Sequence, residues 1–238
     1  MDPVTQRKWL PRGVSPEPSA VAELSRELSV PFLVARLLLS RGMSGAAARE
    51  HIAGRLVDLP DPLLLPDMDR AAGRIVKAVQ NGETLAVHGD YDVDGISGTT
   101  LLVDGLRACG ATVNYHIPLR LKDGYGLSCS ALQSAAAEGV NVVVSVDCGV
   151  SAHEEARLAG ELGLDLIITD HHQPPSELPA AFAIVNPQRV DSVFPFRDLA
   201  GVGVAFFLLI AVRRMLRAAG WFATRPEPDI RTVLDLVA

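Results

Sequence analysis

Three short runs of the sequence concentrate carboxylate and imidazole side chains, the groups that bind divalent cations in proteins. The runs occupy positions 88–94, 147 and 170–172, far apart along the chain. Their members are His88, Asp90, Asp92, Asp94, Asp147, Asp170, His171 and His172. Several carboxylates brought together would repel one another and raise their pKa values unless bound cations offset the charge. If the fold brings the runs together, we therefore expect a divalent metal site.

The mixture of oxygen and nitrogen donors restricts the metal. Ca²⁺ prefers oxygen ligands alone, whereas carboxylates combined with imidazoles suit Mn²⁺ or Zn²⁺. A carboxylate shared between two cations would hold them about 3.5–4 Å apart, which is the arrangement used for phosphoryl hydrolysis. The predicted chemistry is therefore metal-assisted attack on a phosphorus centre.

Each run taken alone has a simpler explanation. The stretch 92–95, two aspartates followed by glycine, could be a turn or a single calcium loop. Asp147 could cap a helix or lie in a turn, and His171 and His172 could be a solvated surface pair. The three runs considered together favour the metal site, because the predicted fold would bring them to one place.

Predicted strands precede all three runs. Short apolar strands are expected at 84–88, 140–146 and 164–169, each ending where a run begins. The other predicted elements are strands at 111–117 and 183–185 and helices at 96–108, 128–138, 152–162 and 204–219. Strands that alternate with helices at this spacing predict an α/β fold with a doubly wound, mainly parallel sheet. Because ligands bind at the carboxyl ends of the strands in such sheets, we expect the runs to meet at one edge.

The first 82 residues carry helical patterns instead. Residues 1–18 are polar and rich in proline and are expected to form a mobile tail. Helices are predicted at 20–28, 32–40, 45–53 and 67–80, with a proline-rich connector at 59–66. The expected organisation is therefore a tail, a helical extension over 19–82, and an α/β domain over 83–238. The apolar run 233–238 has no stop signal after it, which indicates that the chain ends inside a structural element.

The composition excludes several classes of protein. Hydrophobic residues make up 48% of the 238 residues, which is enough for a sizeable core. With no apolar leader and no membrane-length segment, we expect a cytoplasmic protein that does not enter a membrane. The three cysteines, Cys109, Cys129 and Cys148, are well separated, which argues against a disulfide framework or a cysteine-rich zinc site. For Cys148 a buried thiol is favoured over a nucleophile.

The net charge of −6 bears on nucleic-acid binding. It counts against a module that holds nucleic acid by surface charge alone. It does not count against an enzyme whose acidic cluster is neutralised by bound cations.

The three runs resemble the successive motifs of the DHH phosphoesterase superfamily. The matching sequences are HGDYDVDG at 88–95, VDCG at 146–149 and TDHH at 169–172. Within that superfamily, further sequences are similar to the RecJ exonucleases. They are RLKDGYGL at 120–127, NP at 186–187 and LAGVGVAF at 199–206. The resemblance covers about residues 20–238. The motifs taken together are specific for this family, whereas no single motif is.

The resemblance implies two bound metal ions. His88, Asp92 and Asp147 would hold one Mn²⁺ ion. Asp94, Asp147 and His171 would hold the second, so that Asp147 bridges the two ions. Mg²⁺ is the alternative metal. Hydroxide would then attack phosphorus in line.

Other residues acquire roles through the same resemblance. His172 would contact the scissile phosphate, and with Asp147, His171 and Asp170 it would form the catalytic set. Asp90 and Asp170 would orient the groups that hold the ions. Predicted substrate contacts are Arg120, Lys122, Tyr125, Gly201 and Gly203. Basic residues of the last predicted helix, Arg213, Arg214 and Arg217, are either phosphate contacts or solvated charges.

The resemblance also implies a function. It is 5′-to-3′ exonuclease digestion of single-stranded DNA in repair and recombination, with a single-strand-binding protein and a helicase as partners. The alternatives are a phosphatase or pyrophosphatase acting on small phosphates, and a non-catalytic fragment that binds DNA or a partner. The family continues past a stretch like 234–238 to an aspartate that completes the second metal site, then to a second conserved domain and a nucleic-acid-binding barrel. We therefore expect poor binding of the second ion and weak or no exonuclease activity.

Overall fold

A computed structural model of the chain describes residues 15–119 and 124–237, and the chain divides into two compact units after Leu59. The first unit contains the helices α1 (Pro18–Leu28), α2 (Phe32–Ser40) and α3 (Gly45–Ala53), followed by a 3₁₀ turn at Leu56–Asp58. Its small core consists of Val21, Leu24, Ala35, Leu38 and Ala48. The three helices confirm the helical patterns predicted from the sequence.

The second unit is an α/β domain. Its strands are β1 (Thr84–His88), β2 (Thr112–His116), β3 (Val142–Val146), β4 (Asp165–Thr169) and β5 (Ala183–Val185). Its helices are α4 (Met68–Asn81), α5 (Val93–Ala108), α6 (Cys129–Ala137), α7 (His153–Glu161) and α8 (Gly201–Ala218). Short 3₁₀ helices occur at Pro62–Leu64, Trp221–Ala223 and Ile230–Leu236. Among the described residues, no helix combines the length and the hydropathy needed to cross a membrane.

All five strands lie in one sheet in the order β2-β1-β3-β4-β5, and each pair of neighbours is parallel. Helices α4, α5 and α8 pack together on one face, and α6 and α7 cover the other. Helices on both faces of a parallel sheet confirm the predicted doubly wound fold. The direction of winding reverses between β1 and β3, which is where such sheets open a crevice for ligands.

Strand β3 lies at the centre of the sheet and is buried along its whole length. Its sequence, VVVSV, is almost entirely apolar because both of its faces are covered by helices. The exception is Ser145, whose hydroxyl donates to the carbonyl oxygen of Cys148 at 2.8 Å. A hydrogen bond inside the turn after β3 thus compensates for the burial of the one polar side chain of the strand.

The boundary of the α/β domain differs from the sequence prediction. Helix α4 was assigned to the helical extension, but it packs against α8 and β5 and belongs to the second unit, which begins at Pro60. Asp67, just before α4, accepts hydrogen bonds from the backbone of Ile184 at 3.0 Å and from Arg189 at 2.9 Å. The Arg189 guanidinium also donates to the carbonyl oxygen of Ile184 at 2.6 Å. These contacts attach α4 to the last strand of the sheet.

Residues at the two ends of the chain lie partly outside the described range. Of the predicted tail, residues 1–14 are not described, and α1 begins at Pro18 within the predicted boundary. Residues 233–236 of the apolar run near the C-terminus lie in the 3₁₀ helix Ile230–Leu236.

Two glycine-to-alanine substitutions are expected to change stability in opposite directions. A methyl group on Gly105 of α5 would overlap the side chain of Leu209 in α8, where the two helices pack closely. We expect Gly105→Ala to lower the free energy of unfolding by about 1–3 kcal/mol. Gly73 of α4 has no neighbour within 4 Å of an added methyl group, so Gly73→Ala should raise the free energy of unfolding by up to about 1 kcal/mol. Urea unfolding measures the free energy of both variants, and equal effects of the two substitutions would contradict the close packing of α5 on α8.

Candidate metal centre

The carboxyl ends of β1, β3 and β4 bring the three predicted runs together. His171 Nε2, after β4, lies 3.1 Å from Asp147 Oδ1, after β3, and 3.6 Å from Asp94 Oδ2, after β1. Side chains that follow three different strands therefore form one cluster, next to the point between β1 and β3 where the winding of the sheet reverses. This is the meeting point that the strand pattern predicted.

Two groups of potential metal ligands share one residue. Asp90, Asp92 and Asp147 each offer one ligand atom, and these atoms all lie within 4.8 Å of one another. Asp147, His171 and His172 form a second group with the same spacing. The Asp147 carboxylate is common to both groups, which is the position a bridging ligand would occupy.

The backbone at Asp147 is strained. Its φ of 63° lies in the left-handed region that few residues other than glycine adopt, and Gly149 follows with a φ of 109°. The amide of Asp147 still donates to the carbonyl oxygen of Thr169 at 2.9 Å, so the turn leaves the sheet only after this residue. Strained backbone of this kind is often found at functional sites, where the surrounding structure holds it in place.

The electrostatics of the cluster favour a cation. Asp90 and Asp147 are only 1% and 2% exposed, and Oδ1 of each has no hydrogen-bond partner among the described residues. His171 Nε2 is near Asp147 Oδ1 but lacks the alignment of an ordinary hydrogen bond. Burial, with Asp92 nearby, raises the pKa of Asp90. Burial, with Asp94 and Asp92 nearby, likewise raises the pKa of Asp147 although His171 opposes it. Buried carboxylate oxygens without donors fit divalent cations, and the mixed donor set suits Mn²⁺.

Asp170 and Asn186 hold His172 in position. Asp170 is 1% exposed, and its Oδ1 accepts from the amides of His171 at 2.7 Å and His172 at 3.1 Å. The same oxygen lies 2.7 Å from His172 Nδ1, while Oδ2 accepts from the amide of Val150 at 2.9 Å. Asn186 Nδ2 donates to the carbonyl oxygen of His172 at 2.9 Å. Sequence analysis gave Asn186 no role, although the Asn-Pro pair at 186–187 is among the sequences similar to the RecJ exonucleases.

Asp94 is bonded to the start of α8. Its Oδ2 accepts from the amide of Gly201 and its Oδ1 from the amide of Val202, each at 2.7 Å. Gly201 was predicted as a substrate contact, but its amide is occupied by this carboxylate. Gly203, also predicted as a substrate contact, is buried within α8, where an added methyl group would lie 3.4 Å from Leu199. The spacing of the motifs gave no signal for this long-range contact.

His88 was predicted as a metal ligand and Asp90 as a residue that orients the ligands, and the structure places the two side chains in different surroundings. The His88 ring is buried, its Nε2 lies 3.0 Å from the carbonyl oxygen of Gly126, and it stacks on His116 with centroids 4.9 Å apart. Burial lowers the pKa of His88 to about 4, so the imidazole is neutral at physiological pH. Among the described residues Asp90, rather than His88, groups with Asp92 and Asp147.

The other predicted substrate contacts differ in their surroundings. Arg120 and Lys122 lie outside the described residues. Tyr125 is 57% exposed and meets the ring of Tyr91 edge-on, with centroids 6.0 Å apart. Partial burial, with Asp90 among the neighbouring carboxylates, raises the pKa of Tyr125. The ring of Tyr125 is therefore available at the rim of the metal centre.

The basic residues of α8, for which phosphate contacts and solvated charges were both left open, form ion pairs in the structure. Arg213 and Arg217 pair with Glu227, and Arg214 pairs with Asp61 at 3.0 Å. They lie in the last turns of α8, whereas its first turn touches the metal centre, so the length of the helix separates them from the carboxylates. Cys148 is buried, and its burial raises the pKa of the thiol well above the ordinary value. A thiol that stays protonated is a poor nucleophile, so the structure favours the predicted buried thiol.

Comparison with known proteins supports the interpretation of these motifs. The chain is 41% identical over 225 residues to the single-stranded-DNA-specific exonuclease RecJ of Salmonella typhimurium, and the match covers 93% of this chain and 38% of that protein. It is 41% identical over 198 residues to the Bacillus subtilis RecJ, covering 83% of this chain and 25% of that protein. The chain thus spans well under half of the length of these relatives.

Solved structures give the same result. RecJ from Thermus thermophilus in complex with Mn²⁺ superposes with a TM-score of 0.69 and 31% identity, covering 94% of this chain and 30% of that one. An exonuclease RecJ bound to manganese gives a TM-score of 0.62 and 36% identity, covering 73% of this chain and 42% of that one. The profile of the DHH family, N-terminal domain, matches residues 84–238, which is more than half of the chain. This chain therefore belongs to the DHH family.

Proposed function

We propose that this chain supplies the cation-binding hydrolytic centre of a single-stranded-DNA exonuclease. The observation that carries the proposal is Asp147, a buried carboxylate shared by two ligand groups, with an oxygen that lacks a hydrogen-bond donor among the described residues. Support also comes from similarity to RecJ proteins, whose names state this activity and which have been solved with Mn²⁺ and with Mg²⁺.

The residues present fit two divalent cations. Asp90, Asp92 and Asp147 would hold one ion, because their ligand atoms lie close together. Asp147, His171 and Asp94 would contribute to a second. Mn²⁺ suits this mixture of oxygen and nitrogen donors, with Mg²⁺ as the alternative. When bound, the cations would supply hydroxide at neutral pH and offset charge on the phosphate.

Other side chains would position the substrate. His172 is held through Nδ1 by Asp170, and its side chain is 49% exposed, so its other ring nitrogen can contact the scissile phosphate. Asn186 fixes the backbone of the same residue. The exposed ring of Tyr125 would stack on a nucleobase, an interaction that tolerates any sequence. These contacts suit a single strand, whose bases are unpaired.

Several finer points stay predictions from the resemblance. They are 5′-to-3′ polarity, a role in repair and recombination, a cytoplasmic location, and interaction with a single-strand-binding protein and a helicase. Poor binding of the second ion and weak exonuclease activity of this chain also stay predictions. The roles of His88 as a metal ligand and of Arg120 and Lys122 as substrate contacts likewise stay predictions.

The proposed function can be tested by digestion of end-labelled oligonucleotides. We expect slow, Mn²⁺-dependent shortening of single strands, with duplex of the same sequence resistant and EDTA abolishing the reaction. A parallel titration with Mn²⁺ should detect at least one bound ion per chain. Absence of Mn²⁺ binding would contradict the proposal. Faster release of phosphate from pyrophosphate would favour the small-phosphate alternative, and DNA binding without any cleavage would favour a non-catalytic fragment.

Mn²⁺ affinity is expected to rise with pH. Burial raises the pKa of Asp90 and Asp147, and the Asp147 carboxylate raises the pKa of His171, so protons compete with the cation. All three groups must lose protons to bind metal, and affinity should therefore weaken as the pH falls from about 7.5 to about 5.5. Isothermal titration calorimetry across this range measures the effect, and binding independent of pH would count against these ligands.

A further inference from the structure

We propose that the first turn of α8 positions two of the acidic side chains that would hold the cations, Asp94 and Asp147, and that Gly201 is its critical positioning residue. The inference rests on the proposed function, since it concerns the same metal centre. It is carried by contacts that link α8 to Asp94 and to Asp147, residues that come from different strand ends.

The first contact is a pair of hydrogen bonds to Asp94. The amides of Gly201 and Val202 donate to separate oxygens of this carboxylate at 2.7 Å each. The residue before the helix, Ala200, has no side chain that could cap it. Asp94, more than 100 positions earlier, therefore provides the capping acceptor at the positive end of the helix dipole. Each carboxylate oxygen has two lone pairs, so these bonds fix Asp94 without excluding a cation.

The second contact is the close approach of Gly201 to Asp147. A methyl group built on Gly201 would lie 2.5 Å from Asp147 Oδ1 and 2.7 Å from its Cβ and Cγ. Oδ1 is the buried oxygen that lacks a hydrogen-bond donor among the described residues. The absence of a side chain at Gly201 therefore leaves Asp147 in the place where both ligand groups share it.

The third contact keeps α8 from moving away. A methyl group on Gly98 of α5 would lie 2.7 Å from Val146 Cγ1 and 3.2 Å from the Cα of Val202. The backbones of α5 and α8 thus meet directly beside the end of β3. With no free space on the α5 side, a side chain added at Gly201 must displace Asp147 rather than the helix.

Gly203, two residues further along the helix, provides the matched control. A methyl group there would lie 3.4 Å from Leu199 Cδ2, an ordinary contact with a flexible side chain. Gly201→Ala and Gly203→Ala therefore make the same chemical change in the same helix turn. Only the methyl group added at Gly201 would contact a carboxylate, that of Asp147.

The experiment compares Mn²⁺ affinity in the wild-type chain and the two variants by calorimetry, with metal-free melting temperatures as the measure of folding. We expect Gly201→Ala to bind Mn²⁺ about tenfold to a hundredfold more weakly, and Gly203→Ala to stay within about twofold of wild type. Equal affinity of a folded Gly201→Ala chain would overturn the inference. If the wild-type chain binds no Mn²⁺, the proposed function itself fails, and the inference fails with it.

A measurement on the unmodified chain decides the matter if Gly201→Ala does not fold. Titration with diamagnetic Mg²⁺ should shift the backbone amide resonances of Gly201 and Val202, because these amides bond to Asp94 and Gly201 lies directly against Asp147, the carboxylate shared by both ligand groups. The amide of Gly220, after the far end of α8, should not move. Unchanged resonances of Gly201 and Val202 at saturating Mg²⁺ would overturn the inference.

Discussion

Replacing Asp147 with asparagine is expected to abolish Mn²⁺ binding while it stabilises the metal-free chain. Asp147 is the carboxylate common to both ligand groups, so a neutral amide in its place removes the shared charge. We expect Mn²⁺ affinity to fall by at least about a hundredfold, because the loss of a direct ligand exceeds that of an orienting residue. Any Mn²⁺-dependent nuclease activity should disappear with it.

The gain in stability follows from the cost of the buried charge. Asp147 is 2% exposed, and burial raises its pKa, so the ionised side chain opposes folding at neutral pH when no cation is bound. Asparagine carries no charge and also tolerates the left-handed backbone at this position. We expect the free energy of unfolding in EDTA to rise by about 1–2 kcal/mol, or about 2–8 °C in melting temperature.

Differential scanning calorimetry with EDTA and with Mn²⁺ tests both parts of this expectation. Wild type should melt at a higher temperature with Mn²⁺, and Asp147→Asn should show no such shift. Asp104→Asn, which makes the same chemical change on an exposed part of α5, is the control and should keep the Mn²⁺ shift. A variant that is less stable without metal, or that still responds to Mn²⁺, would refute the assignment of Asp147.

Replacing Asp170 with alanine should strongly destabilise the chain. This carboxylate accepts hydrogen bonds from the amides of Val150, His171 and His172, and it also lies against the ring of His172. Its loss leaves three amide groups without this acceptor, that of Val150 at a buried position and those of His171 and His172 at partly buried ones. We expect the free energy of unfolding to fall by about 3–5 kcal/mol.

Urea unfolding of the metal-free chain measures this loss. Asp170→Asn keeps one acceptor oxygen and should fall between wild type and Asp170→Ala. Asp198→Ala, at an exposed position, should change stability by less than about 0.5 kcal/mol. If Asp170→Ala were as stable as wild type, Asp170 would not be the residue that organises the turn after β4.

The fold could be predicted from the sequence because its signals are local. Each α-helix and strand described in the second unit begins and ends within three residues of its predicted position. Apolar runs such as VVVSV in β3 specify a strand covered on both faces, and the glycines that follow the helices specify their ends. The meeting of the three acidic runs then follows from topology, since the ends of parallel strands share an edge.

The details of the site could not be predicted because they depend on the path of loops and on distant partners. Helix α5 begins at Val93, earlier than predicted, because Asp92 accepts from the amides of Asp94 and Gly95 and caps it. The resemblance implied His88 as a ligand and Asp90 as an orienting residue, and spacing alone did not reveal that Asp90 would group with Asp92 and Asp147, since that depends on the turn after β1. The bonds from Asp94 to α8 span more than 100 residues, a separation over which sequence periodicity carries no information.

The contacts of Asp67 and Arg189 with Ile184 have a consequence for solubility. β5 is the last strand on its side of the sheet, and an unprotected strand in that position can recruit another chain and aggregate. Both the amide and the carbonyl group of Ile184 are already bonded to these two charged side chains. An incoming strand would have to displace both charged side chains from Ile184 to form its first hydrogen bonds here, so the sheet is closed to further growth at this residue.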